Sequence, residues 1–240
     1  RDIGVTGVQT CALPILIAPT LDACMFYWAQ EGILVLIIGV FVDDLIIAGT
    51  KSQVQWVKNE LKKEFLMEDL GAPKRIVGID VQICDDYILL HQPTYADKVL
   101  TKFEFHDSTP KWAPMESKLK LTKAQCEGHE EVADFPYRSL VACLLCMAVC
   151  VRFDMSYTIK ELCRFLQQPG KAMVAAAKRA LRYLKATPNF GIKYYKYWRT
   201  DRVLHNSWGW CPYQPCKGYT DADWAGIEDT RQSTAGLIFL

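Results

Sequence analysis

Two adjacent aspartates divide the most apolar stretch of this 240-residue chain. The run from Ile33 to Val42 is almost wholly apolar, Asp43 and Asp44 follow it, and a second apolar run from Leu45 to Ala48 ends at Gly49. Apolar β-branched runs separated by turn-forming residues predict a strand, a tight turn and a second strand. The first run has ten residues, about half of the roughly 20 that a membrane-spanning helix requires, so no transmembrane segment is expected.

The two carboxylates at the tip of this predicted hairpin allow two interpretations. Ionised groups side by side repel each other, and partial burial is costly unless a divalent metal or another cation compensates their charge. Asp43 and Asp44 therefore suggest a metal site. The alternative is a turn that uses aspartate only for its backbone preference, and the local pattern leaves both interpretations open.

The segments that follow predict a mixture of helix and strand. Thr50 or Ser52 can cap a helix that runs to about Glu64, with apolar residues at helical spacing on one side. Arg75 to Gln92 has the alternating pattern and central turn of a second hairpin. The range from Pro93 to about Phe103 predicts another helix, because proline favours the first helical position.

The second half of the chain is predicted to be helical. A connector rich in proline and lysine, from Thr109 to about Asp134, lacks clear periodicity and separates the two halves. Helices are predicted at about Tyr137 to Val149, Met155 to Gln167 and Lys171 to Ala186. A strand at Tyr219 to Asp221 and a second strand at the end of the chain follow. The fold class that this order predicts is α+β.

The last of these helices gives the clearest signal for nucleic-acid binding. The chain has 28 basic and 27 acidic residues, so a cationic surface must come from local clustering. Residues 169 to 199 contain eight basic residues and no acidic one. Helical spacing places four of the basic residues in one stripe: Lys171, Lys178, Arg182 and Lys185. Phosphate contacts are one interpretation, aided by nearby Tyr194, Tyr195, Tyr197 and Trp198; an ordinary solvated helix face is the other.

The cysteines indicate a reducing compartment rather than a disulfide framework. Ten are scattered without repeating spacing, which is typical of a cytoplasmic or nuclear protein. Cys143, Cys146 and Cys150 fall at helical spacing in an apolar helix, where thiols act as small hydrophobic groups. Cys211 and Cys216, with His205 nearby, supply one ligand too few for a closed zinc site. Zinc is therefore not expected at either group.

The first 15 residues, RDIGVTGVQTCALPI, resemble a translated sequencing adapter rather than a protein segment. A secretory signal would have a basic start followed by a continuous apolar stretch, and this segment has neither. We therefore expect the genuine sequence to begin near Leu16, and we give Cys11 no functional role.

The residues around the paired aspartates resemble the reverse transcriptase of copia-type LTR retrotransposons. FVDDLIIAGT, from Phe41, is similar to the YVDD motif of that family's palm, with Phe41 in place of the usual tyrosine. Further blocks follow in the family's order: FLMEDLGAPKRIVGIDV, ILLHQPTYADKVL, YRSLVACLLCMAV, Arg152-Phe153-Asp154, AAKRALRYLKATPNFGI and GYTDADWAGIEDTRQSTAG. The last block resembles the start of the family's RNase H. The resemblance covers about Asp22 to Leu240.

The resemblance implies a division of the chain and an architecture. Palm hairpins would be followed by a helical thumb or connection region and by the truncated first hairpin of an RNase H-like domain. The implied boundaries are 1–15 for the adapter-derived segment, 16–134 for a palm without fingers and its connector, 135–200 for the helical region, 201–217 for a poorly matched linker, and 218–240 for the RNase H start.

The resemblance also implies catalytic residues, a cofactor and partners. Asp43 matches a metal-binding position of a site that uses two Mg²⁺ ions, with Asp44 beside it. Asp221 matches the first carboxylate of the RNase H site, and Asp223 is expected to support it. The implied partners are an RNA template and a DNA primer.

Both implied sites are expected to be incomplete in this chain. The family's third palm carboxylate lies on an earlier strand, and the aspartates before Asp43 are only Asp2 and Asp22; the latter matches a non-catalytic position. The primary hypothesis is therefore an RNA-directed DNA polymerase fragment with partial RNase H, inactive by itself. The alternatives are a non-catalytic nucleic-acid-binding remnant of the element, or a translation of transposon debris that forms no stable protein.

Overall fold

The computed structural model describes residue 16 and residues 22–127, 129–195, 218–222, 227 and 229–239. The segments implied to be adapter-derived (1–15) and linker (201–217) lie outside the described residues, as does Asp223. The described part is a mixture of helices and antiparallel sheets, which confirms the α+β class. It forms two compact units, Arg1–Pro73 and Lys74–Leu240.

The first unit is a three-stranded antiparallel sheet covered on one face by a helix. Its strands are β1 (Met25–Gln30), β2 (Ile33–Phe41) and β3 (Asp44–Gly49), in that spatial order. The helix α1 (Lys51–Glu64) begins after Thr50, whose hydroxyl accepts a hydrogen bond from the Gln53 amide. The predicted hairpin and helix are therefore confirmed, whereas β1 is an additional strand.

Strand alternation explains which face of this sheet is covered. Alternate side chains of a strand point to opposite faces, and the buried members of β1 and β2 are Phe26, Leu36, Ile38 and Val40. They pack with Val57 and Leu61 of α1, both 0% exposed. The hairpin that bears Asp43 and Asp44 therefore projects from a sheet with its own hydrophobic core.

The second unit contains a four-stranded sheet built from distant parts of the sequence. The strands β4 (Arg75–Ile76), β5 (Ile79–Ile83) and β6 (Tyr87–His91) form the predicted hairpin region, and β7 (Gly191–Tyr195) pairs antiparallel with β6. This pairing joins segments on both sides of the connector where the sequence placed its boundary. The compact units instead divide at Pro73.

Four helices form the core of the second unit. They are α2 (Pro93–Lys102), α3 (Tyr137–Cys150), α4 (Ser156–Cys163) and α5 (Lys171–Ala186). α4 is shorter than the predicted Met155 to Gln167, because Met155 ends a 3-10 turn and the residues after Cys163 are not helical. The predicted apolar side of α5 is buried against the other helices: Val174, Ala177, Ala180, Leu181 and Leu184. No helix in the described part of the chain is long and apolar enough to span a membrane.

A buried arginine joins the ends of α3 and α5. Arg152 is 1% exposed. Its guanidinium donates to the Asp154 carboxylate at 2.8 Å, to the Thr187 carbonyl at 2.9 Å and to the Thr187 hydroxyl at 2.7 Å. The Tyr183 hydroxyl also donates to Asp154, at 2.8 Å. The contact therefore satisfies groups at the two helix ends that would otherwise be buried without partners.

The same contact determines how Asp154 responds to acid. Burial alone would raise the pKa of Asp154, but the hydrogen bonds from Arg152 and Tyr183 outweigh burial and leave the pKa lowered. A carboxyl with a lowered pKa in the folded state stabilises the fold above its unfolded-state pKa. This stabilisation is lost as the pH falls through the lowered, folded-state pKa.

We expect Arg152→Met to destabilise the second unit by about 3 kcal/mol, because removing one partner of a buried pair leaves the other unpaired. Urea denaturation followed by circular dichroism measures this change. Arg138→Met is the matched control, because Arg138 is exposed on the first turn of α3. Equal stability of the two variants would contradict the role assigned to Arg152.

Candidate metal and nucleic-acid sites

The paired aspartates lie at the tip of the β2–β3 hairpin. Phe41 pairs with Asp44 across the two strands, so Val42 and Asp43 form a two-residue turn. Asp44 begins β3, next to Leu45 and Ile47, whose side chains reach the core. The core thus fixes the strands while the tip stays exposed, with both aspartates accessible to solvent.

The turn that presents the aspartates is strained at Val42. Val42 has a φ of 52°, whereas Asp43 does not have a positive φ. A positive φ at the first turn position alone is the pattern of a type II′ turn, in which that position normally holds glycine. A β-branched residue in this region is a genuine outlier. Sequence reasoning missed this strain, because the type of turn cannot be read from the residues alone.

Asp43 and Asp44 have the donor chemistry that suits Mg²⁺. In the described part of the chain, neither carboxylate forms an ion pair, and no group of three possible metal-ligating side chains occurs. Mg²⁺ commonly binds proteins through one or two carboxylates, with water and substrate phosphates completing its octahedron. Two free, adjacent carboxylates therefore fit the ion.

Asp22, by contrast, accepts a hydrogen bond from the Cys24 amide at 2.8 Å and so shapes the turn before β1.

Asp221 lies in a separate two-stranded sheet. This sheet pairs β8 (Gly218–Ala222) with β9 (Ala235–Phe239), and Asp221 stands opposite Gly236. The Asp221 side chain is exposed. The predicted strand at 219–221 is confirmed, and Asp221 belongs to a different sheet from Asp43 and Asp44.

Most members of the predicted basic stripe on α5 have partners within the protein. Lys171 forms an ion pair with Glu131, the Lys178 ammonium lies 4.9 Å from the centre of the Phe135 ring, and the Lys185 ammonium donates to the Ser108 carbonyl at 2.6 Å. The partners all belong to the segment between α2 and α3. The stripe therefore holds this segment against α5, a role that the helical spacing does not reveal.

Two other basic residues of α5 complete this surface. Arg179, outside the predicted stripe, pairs with Glu116 at 2.9 Å. The Nε atom of Arg182 is buried without a hydrogen-bond partner among the described residues. Tyr194 and Tyr195 on β7 are 56% and 62% exposed. The Tyr195 ring packs edge-on against Tyr87, with 6.0 Å between the ring centres, so Tyr194 is the more available of the two for stacking. Tyr197 and Trp198 lie outside the described residues.

The cysteines of α3 do not form a metal cluster within the described residues. The described cysteines are all free thiols. Cys143 is half-buried and packs against the core, Cys150 is half-buried, and Cys146 is exposed, so the three do not all pack as small hydrophobic groups. Burial is the main reason that the pKa of Cys150 is raised, which keeps this thiol protonated.

Comparison with known proteins finds a family whose sequence model covers the Asp43–Asp44 hairpin. The sequence model of the family "Reverse transcriptase (RNA-dependent DNA polymerase)" matches residues 19–117, a range that contains the Asp43–Asp44 hairpin. No solved structure matches the chain. The strained hairpin therefore lies within the part of the chain that matches the reverse transcriptase family.

Several similar proteins come from plant transposons. The chain is 32% identical, over 91% of its length, to the retrovirus-related Pol polyprotein from transposon TNT 1-94 of Nicotiana tabacum, of which it spans 16%. It is 30% identical, over 87% of its length, to the corresponding polyprotein from transposon RE1 of Arabidopsis thaliana, of which it spans 13%. An uncharacterized mitochondrial protein of Arabidopsis thaliana is 27% identical over 82% of the chain, which spans 75% of that protein.

The family model and the related polyproteins identify the chain as part of a reverse transcriptase. The chain belongs to the copia-type retrotransposons, as a fragment of their polyprotein. It spans less than a fifth of the length of the two transposon polyproteins described above.

We expect Val42→Gly to stabilise the first unit by about 0.5 to 1 kcal/mol, because glycine adopts a positive φ without steric strain. The gain is smaller than the strain removed, because glycine loses more conformational entropy on folding than valine does. Val42 is 73% exposed, so little packing is lost. Urea denaturation measures the change, with Val35→Gly as a control within β2. A loss of stability as large as that of Val35→Gly would show that Val42 is not strained.

Proposed function

We propose that the β2–β3 hairpin is the metal-binding hairpin of an RNA-directed DNA polymerase, in which Asp43 and Asp44 hold Mg²⁺. The observation that supports this most directly is two exposed, unpaired carboxylates on a strained turn. Strain of this kind costs of order 1–3 kcal/mol and tends to occur at functional sites, where surrounding structure maintains it.

The roles of the residues follow from where the hairpin places them. When bound, Mg²⁺ supplies positive charge that stabilises the attacking oxygen, the reacting phosphate and the leaving group. Asp43 and Asp44 supply anionic ligands that are already in position, because the buried side chains of β2 and β3 fix the strands below them. The exposed tip leaves room for a nucleotide and a primer end.

We propose further that this chain does not extend a primer by itself. Polymerisation requires the reacting groups to be held in line, and a misplacement of about 1 Å can cost two orders of magnitude in rate. The resemblance implies a third carboxylate on another palm strand, and no residue of this chain matches that position. Primer extension would therefore depend on a strand that this chain does not supply.

The β8–β9 hairpin is proposed to be the start of an RNase H-like domain. Asp221 would hold one of two metal ions there, and its exposure on β8 supports this role.

An RNA template and a DNA primer would be the partners of the whole enzyme. The free thiols of the described cysteines support a reducing, cytoplasmic or nuclear location.

A non-catalytic role in nucleic-acid binding is the second candidate. Lys171 is 67% exposed and its partner Glu131 is 60% exposed, and Arg182 forms no ion pair among the described residues, so these two members of the stripe are the easiest for phosphates to reach. Sequence-independent phosphate contacts weaken steeply with salt. Binding of this kind needs no metal site.

We expect the purified chain to bind a primed RNA template weakly without extending it in the presence of Mg²⁺. Lys171→Gln with Arg182→Gln should lower the log–log salt slope by about two units, one for each lost phosphate contact. Fluorescence anisotropy across a salt series measures the slope, and a primer-extension gel run beside it measures synthesis.

Lys98→Gln is the matched control for charge, because Lys98 is exposed on α2. If its slope falls as much as that of the double variant, binding is diffuse and does not involve α5. Template-dependent extension that disappears in Asp43→Asn would contradict the proposal of inactivity but support the proposed metal hairpin.

A further inference from the structure

The contacts that the described residues of the β8–β9 hairpin make with the helical region come from its loop. All side chains described in its strands, at 220–222 and 235–237, are exposed, including Leu237 at 71%. These described side chains add little buried apolar surface, and an isolated two-stranded hairpin is marginally stable in water. Polar contacts of the loop are therefore the ones that can be assigned to docking.

Asp229, in the loop between the two strands, provides such a contact. Its carboxylate oxygens accept hydrogen bonds from the backbone amide of Lys123, each at 3.1 Å. One oxygen also accepts from the Arg164 guanidinium at 3.2 Å. The Asp229 side chain is only 14% exposed, so this charge is partly removed from water and relies on its partners.

A second acidic residue, Glu161, positions the cations on the helical side of this contact. Glu161 on α4 is 7% exposed. It pairs with Arg164 at 2.6 Å and with Lys160 at 2.9 Å. Lys160 in turn donates to the Thr234 hydroxyl, just before β9, at 2.6 Å. Glu161 therefore orients two cations that each reach one side of the hairpin loop.

We propose that Asp229 is a positioning residue that docks the β8–β9 hairpin on the α4 side chains Lys160 and Arg164, and so fixes the placement of Asp221 relative to the helical region. The contact joins one carboxylate and one hydroxyl of the loop to two cations already paired with Glu161. This inference rests on the proposed function only for the role of Asp221. The docking itself requires no metal.

Gly170 supports the same arrangement from the other side. A Cβ atom at Gly170 would lie 1.8 Å from the Gln125 carbonyl oxygen, so the start of α5 packs directly on the 3-10 turn at Lys123–Cys126. That turn supplies the amide that Asp229 accepts from. The docking site therefore combines the backbone amide of Lys123, in a turn that packs on α5, with the side chains of Lys160 and Arg164 at α4.

Millisecond hydrogen exchange of the full chain, read by mass spectrometry, tests the proposal. We expect Asp229→Asn and Arg164→Met each to lower protection of the strands at 218–222 and 235–239 at least tenfold, while α3 is unchanged. Arg164→Lys should restore part of the protection, because it keeps the charge. Unchanged hairpin protection in both variants would overturn the proposal, and so would an equal loss throughout the second unit, which would mean a general loss of stability.

Asp221→Asn separates this inference from the proposed function. It should leave hairpin protection in metal-free buffer unchanged, since Asp221 makes none of the docking contacts. If Mg²⁺ fails to alter exchange near Asp221 in the parent chain, the proposed metal role fails while the docking result stands. A loss of metal-free protection in Asp221→Asn as large as that in Asp229→Asn would contradict the docking role of Asp229.

Discussion

The guanidinium of Arg152 lies almost completely buried between the end of α3 and the end of α5, where it contacts Asp154 and both polar groups of Thr187. Its ring neighbours, Tyr183 and Phe190, lie 5.4 and 5.7 Å away. Phe190 directly precedes β7, so the same contact helps set where the chain leaves α5 and returns to the sheet. A buried cation of this kind is tolerated only because every side of it is satisfied. Within the second unit, this junction therefore links the helical core to the start of β7 in the four-stranded sheet.

The reverse-transcriptase fragment therefore consists of two units that are stabilised in different ways. The first unit holds a strained, charged tip on a small sheet whose core is completed by α1. The second holds its basic residues largely in internal contacts, so that the stripe on α5 fastens the preceding segment to the core. Metal binding is accordingly proposed for a site whose carboxylates have no protein partner, and phosphate binding for the few cations that remain available. In each case the proposed ligands are charges that are unpaired among the described residues or, as for Lys171, paired only with an exposed side chain.

Sequence patterns predicted the elements whose signals are local. The β2–β3 hairpin, α1, α2, α3 and α5 follow from periodicity and from turn or cap residues such as Thr50 and Pro93. β7 could not be predicted, because five residues with two exposed tyrosines become a strand only by pairing with β6, about a hundred residues earlier. The candidate aspartates were found from the motif, but the strain at Val42 and the docking contact of Asp229 depend on backbone angles and on tertiary neighbours. Helical spacing likewise placed Lys178 and Lys185 on one face without showing that Phe135 and Ser108 lie against it.

Asp43 and Asp44 are proposed to form a metal site at the tip of a preformed hairpin. Paramagnetic broadening of amide NMR signals by Mn²⁺, added in increasing amounts as a substitute for Mg²⁺, tests whether they bind a metal ion. We expect the signals of residues 41–46 to broaden first, and we expect Asp43→Asn with Asp44→Asn to abolish this effect while the β2–β3 cross-strand contacts persist. Broadening that begins elsewhere in the first unit, or that is the same in the double variant, would contradict metal binding at this hairpin.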